Sequence, residues 1–468
     1  MLAVLLLSFF IALIDVSIVN VALPSIQHGI GASSSDLQWI LSGYALTFGV
    51  VLIAAGRAGD IVGRGGLFVL GLAIFTASSL AASLAPTPTA LNVARFIEGV
   101  GSGFMSPQVY GMVQQYFHGP ERGRAFGYLG MAASLSVATG PTLGGALIAL
   151  GGPYWGWRST FLVNVPLGIA GVILAVIWFP KPLVRFHHFY GTSRSGRRIG
   201  LARSLDLVGS ALIGLAVFAV LLPFVEAASR PLLWLLVPAG LGIVLLWLWW
   251  ERAYGRRGYP PMVDLHIFSI RSFTNGLSIQ TLYFLGMTSI WVLVALYAQE
   301  AAGLSALETG LLGMPSAIIS AFAANWAGKR VSSYGRPIVI GGQVVAIVGL
   351  LLSCAVIHAH AHGLITIWAL VPALSVVGIG QGATISPNQT LTLEDIPLQY
   401  AGSSGAVMST GQRIGTSIGI AMITAAAFAT LRHASWSTAI ILGFGLIVLT
   451  MLVAIAIGVR DLRGNRRG

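Results

Sequence analysis

An aspartate, Asp15, interrupts an apolar run that extends from Leu2 to Leu23. In a lipid-spanning helix an ionisable group costs roughly 2.5–3.5 kcal/mol, and it faces a cavity or a partner rather than hydrocarbon. A carboxyl so placed can take up a proton, carry it, and yield to a cationic solute. The plainer reading is a fixed hydrogen bond that orients the helix. Arg95 and Glu98 lie three residues apart in another apolar run. At that spacing they share one helix face, and a guanidinium away from water needs an acceptor. The pair is either a static bridge or a second proton site. Arg413, flanked by Gln412 and Gly415, stands within a third run, where it serves function or satisfies backbone carbonyls. These residue types suit proton exchange across a barrier.

Other chemistries find little footing. The chain has no Gly-x-x-x-x-Gly-Lys-[Ser/Thr] loop for nucleotide phosphates, and neither Gly-x-Ser-x-Gly nor His-Glu-x-x-His. His358, His360 and His362 alternate without cysteine or acidic neighbours, which reads as a solvated loop rather than a metal site. Cys354 is the single cysteine, so no internal disulfide forms. The expectation is a protein that is not an enzyme, with no metal and no cofactor.

The elements that must hold these residues follow from composition. Of 468 residues, 56% are hydrophobic and 9% charged, against about 25% charged in soluble domains. A helix crosses the hydrocarbon core with about 20 apolar residues, and that window finds fourteen candidate spans, from Leu2–Leu23 to Ser437–Val459. The run at the N-terminus reads as a first span rather than a cleaved signal peptide, with a start that omits a short basic leader as the alternative. With the N-terminus inside, most of the 26 basic residues fall on inner connections. Outside lie Arg158, Arg230 and Arg432, and only Arg95 and Arg413 stay within spans. The positive-inside rule therefore favours an even number of spans with both ends in the cytoplasm. The formal net charge of +12 is then anchoring to an anionic leaflet rather than a nucleic-acid surface. Only Lys181 and Lys329 are lysines, a hint of a GC-rich bacterial genome.

Two segments recur. Gly56-Arg-Ala-Gly-Asp60-Ile-Val-Gly63-Arg64 joins spans two and three, and Gly328-Lys-Arg-Val-Ser332-Ser-Tyr-Gly335-Arg336 joins spans ten and eleven. Gly99-Val-Gly-Ser-Gly103 in span four matches Gly378-Ile-Gly-Gln-Gly382 in span twelve, each followed by Ser-Pro. Leu374 stands where Arg95 would be, so the charge chemistry concentrates in the first copy. The fold class expected is an all-α polytopic membrane protein with two six-helix halves and two inserted helices. The division is 1–180 for the first half, 181–205 for a basic cytoplasmic linker and 206–251 for the inserted pair. A cytoplasmic loop at 252–272, the second half at 273–460 and a cytoplasmic tail at 461–468 complete it.

With these motifs the chain resembles the major facilitator superfamily, in its fourteen-span drug:proton antiporter branch. The segment Leu13–Pro24 around Asp15 is similar to that branch's first-span signature, and Gly56–Arg64 to the superfamily's loop between spans two and three. Arg95-Phe-Ile-Glu98-Gly99 resembles Arg-x-x-Gln-Gly with glutamate for glutamine. Gly140-Pro141-Thr-Leu-Gly144-Gly145 resembles the span-five antiporter signature, with Gly127 in place upstream but Ser136 where glycine is usual. Trp157-Arg158, Phe161 and Asn164-Val-Pro166 are similar to the entry to span six.

The resemblance implies that Asp60 and Arg64, with Gly56 and Gly63, help lock the cytoplasmic side closed. Simple turn geometry also accounts for those two glycines, and Asp60 is placed to cap span three. Ser332 in the second copy implies an asymmetric latch. Gly140, Pro141, Gly144 and Gly145 form a pliable gasket that limits proton leak, or only pack helices closely. Asn20, Tyr44, Tyr283, Trp291 and Arg413 are cavity candidates; most aromatics in such chains face lipid.

The expected function is proton-coupled export of lipophilic or amphiphilic small molecules by alternating access. Asp15 is the main proton site and Arg95–Glu98 tunes it. The alternatives are export of a self-made metabolite, lipid or siderophore, and a membrane sensor or scaffold that transports nothing. The expected partners are a small-molecule substrate, protons and the bilayer, with no nucleic acid, for a monomer in the bacterial inner membrane. No cofactor is needed because the proton gradient supplies the drive.

Overall fold

The computed structural model describes residues 1–184, 200–226 and 231–465. The basic linker's Arg185, Arg194, Arg197 and Arg198, and Arg466 and Arg467 of the tail, lie outside the described residues. Among the described residues every regular element is helical. The first six are α1 Leu2–Ile30, α2 Ser34–Val62, α3 Arg64–Ser83, α4 Pro88–Tyr116, α5 Gly119–Leu162 and α6 Asn164–Trp178. A short α7, Leu201–Ser204, precedes α8 Leu207–Glu226 and α9 Leu236–Arg256. The last six are α10 Arg271–Leu296, α11 Ala306–Tyr334, α12 Arg336–Ala361, α13 Leu370–Thr392, α14 Ala401–Leu431 and α15 Trp436–Asn465. Among the described residues, twelve segments are long and apolar enough to cross a membrane. The helix α4 is too rich in glycine and polar residues to count among them, and α5 with α6 forms one continuous stretch, Gly119–Trp178.

The repeat seen in the sequence has a structural counterpart. Gly63 and Gly335 both adopt positive φ, 117° and 58°, and each ends one helix just before an arginine opens the next. Only glycine takes such angles without strain. A capping box starts the second helix of each set: Ser33 with Asp36 on α2, Ser305 with Glu308 on α11. The matched glycines have one role in both copies. A β-carbon on Gly101 would stand 2.6 Å from the backbone nitrogen of Phe75, and one on Gly380 would stand 2.5 Å from that of Ala346. Bare glycine therefore lets α4 lie against α3, and α13 against α12.

The chain forms two compact units. The first comprises Met1–Tyr116, Leu143–Ser269 and Ile396–Thr410; the second comprises Phe117–Thr142, Ile270–Asp395 and Gly411–Gly468. The fifth helix of each six-helix set, α5 and α14, is divided between them. Within the first unit Ile18, Ile26, Ile40, Leu91, Trp157 and Phe161 form an apolar cluster. Within the second, Leu293, Leu350, Leu374, Phe444 and Ile447 do the same. Outward faces stay apolar too, as with Leu241, Leu245 and Trp249 of α9. Lipid rather than water suits such a surface.

Candidate functional site

Five neighbouring helices of the first unit close around Arg95. Its Nη1 donates to Asp15 Oδ2 of α1 at 2.6 Å and to Glu98 Oε2 of α4 at 2.7 Å. Its Nε donates to the Ile40 carbonyl of α2 at 3.1 Å. From α6, Asn164 Nδ2 donates to the other Asp15 oxygen at 3.0 Å, and from α3 the Ser79 hydroxyl donates to Glu98 Oε1. The Tyr44 ring lies 4.4 Å from the guanidinium carbon and the Phe161 ring 5.6 Å. Tyr44 is held in turn by a 2.8 Å hydrogen bond between its hydroxyl and that of Ser102. Asp15 and Glu98 are wholly buried and Arg95 is 1% exposed.

The charge balance of this cluster is its chemistry. Two carboxyls face a single guanidinium in a site without water contact, where an unbalanced charge is expensive. The cluster is neutral only when one carboxyl carries a proton. Each acid also has a neutral donor, Asn164 for Asp15 and Ser79 for Glu98. The arrangement can therefore hold one exchangeable proton on either acid, while the Arg95 charge balances the other.

Asp15 and Glu98 are thus brought onto the same arginine. Asn164 enters the sequence only as part of the Asn-Val-Pro motif, and nothing in the sequence singles out Ser79. Tyr44 lies in this cluster as part of its wall. Asn20 is exposed, its amide donating to the Val16 carbonyl of its own helix at 3.0 Å.

The Gly56–Arg64 segment forms a second arrangement in the same unit. Asp60 does not cap α3, whose first turn receives no side-chain cap. The helix α2 runs on through Val62, which turns the carboxyl away from that start. Asp60 instead caps α14, accepting the backbone N–H groups of Gly402 at 2.8 Å and Ser403 at 2.9 Å. Those are first-turn donors with no partner inside their own helix, at its positive end. Arg64 Nη2 bridges Asp60 Oδ1 and the Leu398 carbonyl, both at 2.6 Å, and its Nη1 reaches Gln115 Oε1 at 2.6 Å. Gly56 serves close approach rather than a turn, since a β-carbon there would stand 2.6 Å from the Gly402 carbonyl oxygen. A cavity of about 270 Å³ borders this arrangement, lined by Asp60, Arg64, Gln115 and Leu398 among others.

The second unit answers with different residues. Ser332 is exposed. Arg336 Nε donates to Asp461 Oδ2 at 2.8 Å and its Nη1 to Asn388 Oδ1 at 2.8 Å. Asn388 continues to Gln280 at 3.3 Å, and Gln280 to Gln412 at 3.3 Å. Asp461 falls in the stretch read as a tail, but α15 continues to Asn465 and buries it. Arg413 is half-buried beside Gln412, Trp291 packs over Gly313, and Tyr283 is buried in the apolar core. Along α5, a β-carbon on Gly144 would stand 2.8 Å from Ile18 of α1, whereas one on Gly145 would meet nothing. Gly140 is buried and Pro141 half-buried in the same helix, which shows non-helical backbone only at Gly152.

A sequence profile of the Major Facilitator Superfamily matches residues 5–188 and 184–420. The chain belongs to that superfamily. It is a multi-pass membrane transporter of small molecules and not an enzyme. The transporter is 32% identical over 415 residues to the probable actinorhodin transporter of Streptomyces coelicolor, covering 88% of this chain and 69% of that one. It is 29% identical over 420 residues to the multidrug resistance protein Stp of Mycobacterium tuberculosis, covering 89% and 73%. Among solved structures, the human organic anion transporter MFSD10 superposes with a TM-score of 0.68 at 14% identity, covering 98% of each chain. At that identity the likeness is one of fold.

Proposed function

We propose that this transporter is a proton-coupled exporter of lipophilic or amphiphilic small molecules that works by alternating access. The observation that carries the reading is Arg95 held between Asp15 and Glu98, a buried group with one cation for two acids. Proton uptake neutralises the cluster, and proton loss leaves a net negative charge that must be met by a cationic group or relieved by a change of conformation. Relatives named for multidrug and puromycin resistance support drugs as cargo. The relative named for actinorhodin gives a second reading, export of a self-made metabolite.

In this reading the chain has fourteen spans of the drug:proton antiporter branch. The polar helix α4, 29 residues long, is one of them, and Gly152 with φ 64° divides the Gly119–Trp178 stretch into two. Helices α8 and α9 are the inserted pair, both termini are cytoplasmic, and the protein is a monomer of the bacterial inner membrane. The drive is the proton gradient, with no cofactor.

The test is Asp15→Asn in inverted membrane vesicles with an imposed pH gradient. Gradient-driven substrate movement is lost, while the protein still inserts and still exchanges substrate without a gradient. Unchanged gradient-driven movement would remove Asp15 from the mechanism.

A further inference from the structure

The helix pair α8–α9 carries a second buried acid pair. Asp206, 2% exposed and with φ 43°, sits just before α8. Its carboxyl accepts the Gly209 N–H at 3.0 Å and the Trp250 indole Nε1–H at 3.0 and 3.2 Å. Glu251 of α9, also 2% exposed, points to the same spot. A β-carbon on Gly209 would collide with the Asp206 carboxyl and stand 3.1 Å from Glu251 Oε1. Glycine at 209 is what leaves room for two carboxyls.

The two acids are not equally served. Asp206 has its donors. Neither Glu251 oxygen has a hydrogen-bond partner among the described residues, although the Met262 and Val263 backbone N–H groups and the Trp247 indole point towards it. From α2, Arg57 is 4% exposed, its Nε makes no hydrogen bond among the described residues, and its charge is felt by both acids. The other charged or titratable groups around the pair are Arg252, Arg256 and Asp264, which line a cavity of about 760 Å³ reaching Glu251, and Tyr254 and Arg203 beside Asp206. Two adjacent buried carboxylates, one of them with no hydrogen-bond partner among the described residues, do not both stay ionised.

We propose that Asp206 and Glu251 form a second proton-binding site, in which Glu251 holds a proton that it exchanges with water in the adjoining cavity. The Asp206 carboxyl is held by the Gly209 N–H and the Trp250 indole. When Glu251 releases its proton, Arg57 is the one buried cation of the neighbouring helix, among the described residues, that can answer the added charge. Arg57 lies one turn before Asp60 on α2, so the proton state of the pair bears on the Asp60 cap of α14. This assigns the α8–α9 pair a pH-sensing role beside the latch. It rests on the acid pair itself and not on the Asp15 cluster.

Infrared difference spectroscopy of the purified, lipid-reconstituted protein tests it. The background is the Asp15→Asn, Glu98→Gln, Arg95→Met variant, which leaves no charge in the first cluster. At neutral pH that protein has a carboxyl C=O stretching band from a buried protonated acid, which fades as pH rises. Adding Glu251→Gln abolishes that band. The same C=O band and titration with and without Glu251→Gln would overturn the proposal. If that protein does not fold, Asp206→Asn replaces Glu251→Gln. The asparagine can still accept from Gly209 and Trp250, but the charge beside Glu251 is gone, so the band fades at lower pH, and an unshifted titration overturns the proposal equally.

Discussion

Replacing Arg95 by methionine tests the charge cluster most directly, because it removes the cation and keeps most of the volume. Arg95 makes hydrogen bonds to both carboxyls and to the Ile40 carbonyl. Each bond to a charged partner contributes about 1.5–3 kcal/mol and the neutral one about 1. The carboxyls can recover part of the loss by taking up protons, so the net cost should fall near that of breaking a buried ion pair, roughly 3–5 kcal/mol. That is a large share of the ~5–15 kcal/mol that holds a typical domain together. Arg95→Met should therefore melt well below the wild type in detergent and should not transport. The informative partner is the triple variant Asp15→Asn, Glu98→Gln, Arg95→Met, which leaves no buried charge. It should regain most of the lost stability and remain inactive, since neutral replacements of buried ion pairs are often tolerated. Thermal denaturation followed by size-exclusion chromatography measures both. The reasoning fails if Arg95→Met is as stable as the wild type, or if the triple variant is no more stable than Arg95→Met.

Three further outcomes follow from other parts of the fold. Asp60→Asn keeps one acceptor where two oxygens now hold Gly402, Ser403 and Arg64; with Cys354→Ala and Ser404→Cys also introduced, a water-soluble maleimide should label position 404 at least several-fold faster than with Asp60 intact. Gly101→Val and Gly380→Val should each strip the chain of monodisperse folded protein on size exclusion, because backbone atoms stand 2.6 and 2.5 Å from their β-carbons, whereas Gly145→Ala, with nothing within 4 Å, should behave as wild type. Burial, with Asp395 adding to it, holds the Glu394 carboxyl above its ordinary range, against the opposing pull of Arg122 and Arg336. The unfolded chain thus loses this proton first, so the cost of Glu394 is absent below about pH 4 and grows as pH rises through its folded value. Glu394→Gln should accordingly lose less melting temperature than the wild type as pH is raised from about 4, and parallel profiles would contradict this.

The sequence alone determined what depends on neighbours along the chain. Apolar windows gave the helices, glycine–arginine junctions gave the repeat, and the three-residue spacing of Arg95 and Glu98 gave one ion pair. Each of these is local: a helix fixes its own period, and a glycine its own angles. Tertiary structure decided which faces meet. Asp15 reaches Arg95 across 80 residues and Asn164 reaches Asp15 across 149. Asp60 caps a helix that begins some 340 residues later instead of the one that follows it. Asp461, read as part of a tail, closes on Arg336 across 125 residues. A run of apolar residues shows that a helix is buried in lipid or protein, but its pattern is too uniform to show how the helix is rotated about its axis. That rotation is set by packing against other helices, here through close glycine contacts, and it decides whether a buried carboxyl meets a cation, a helix end or another carboxyl.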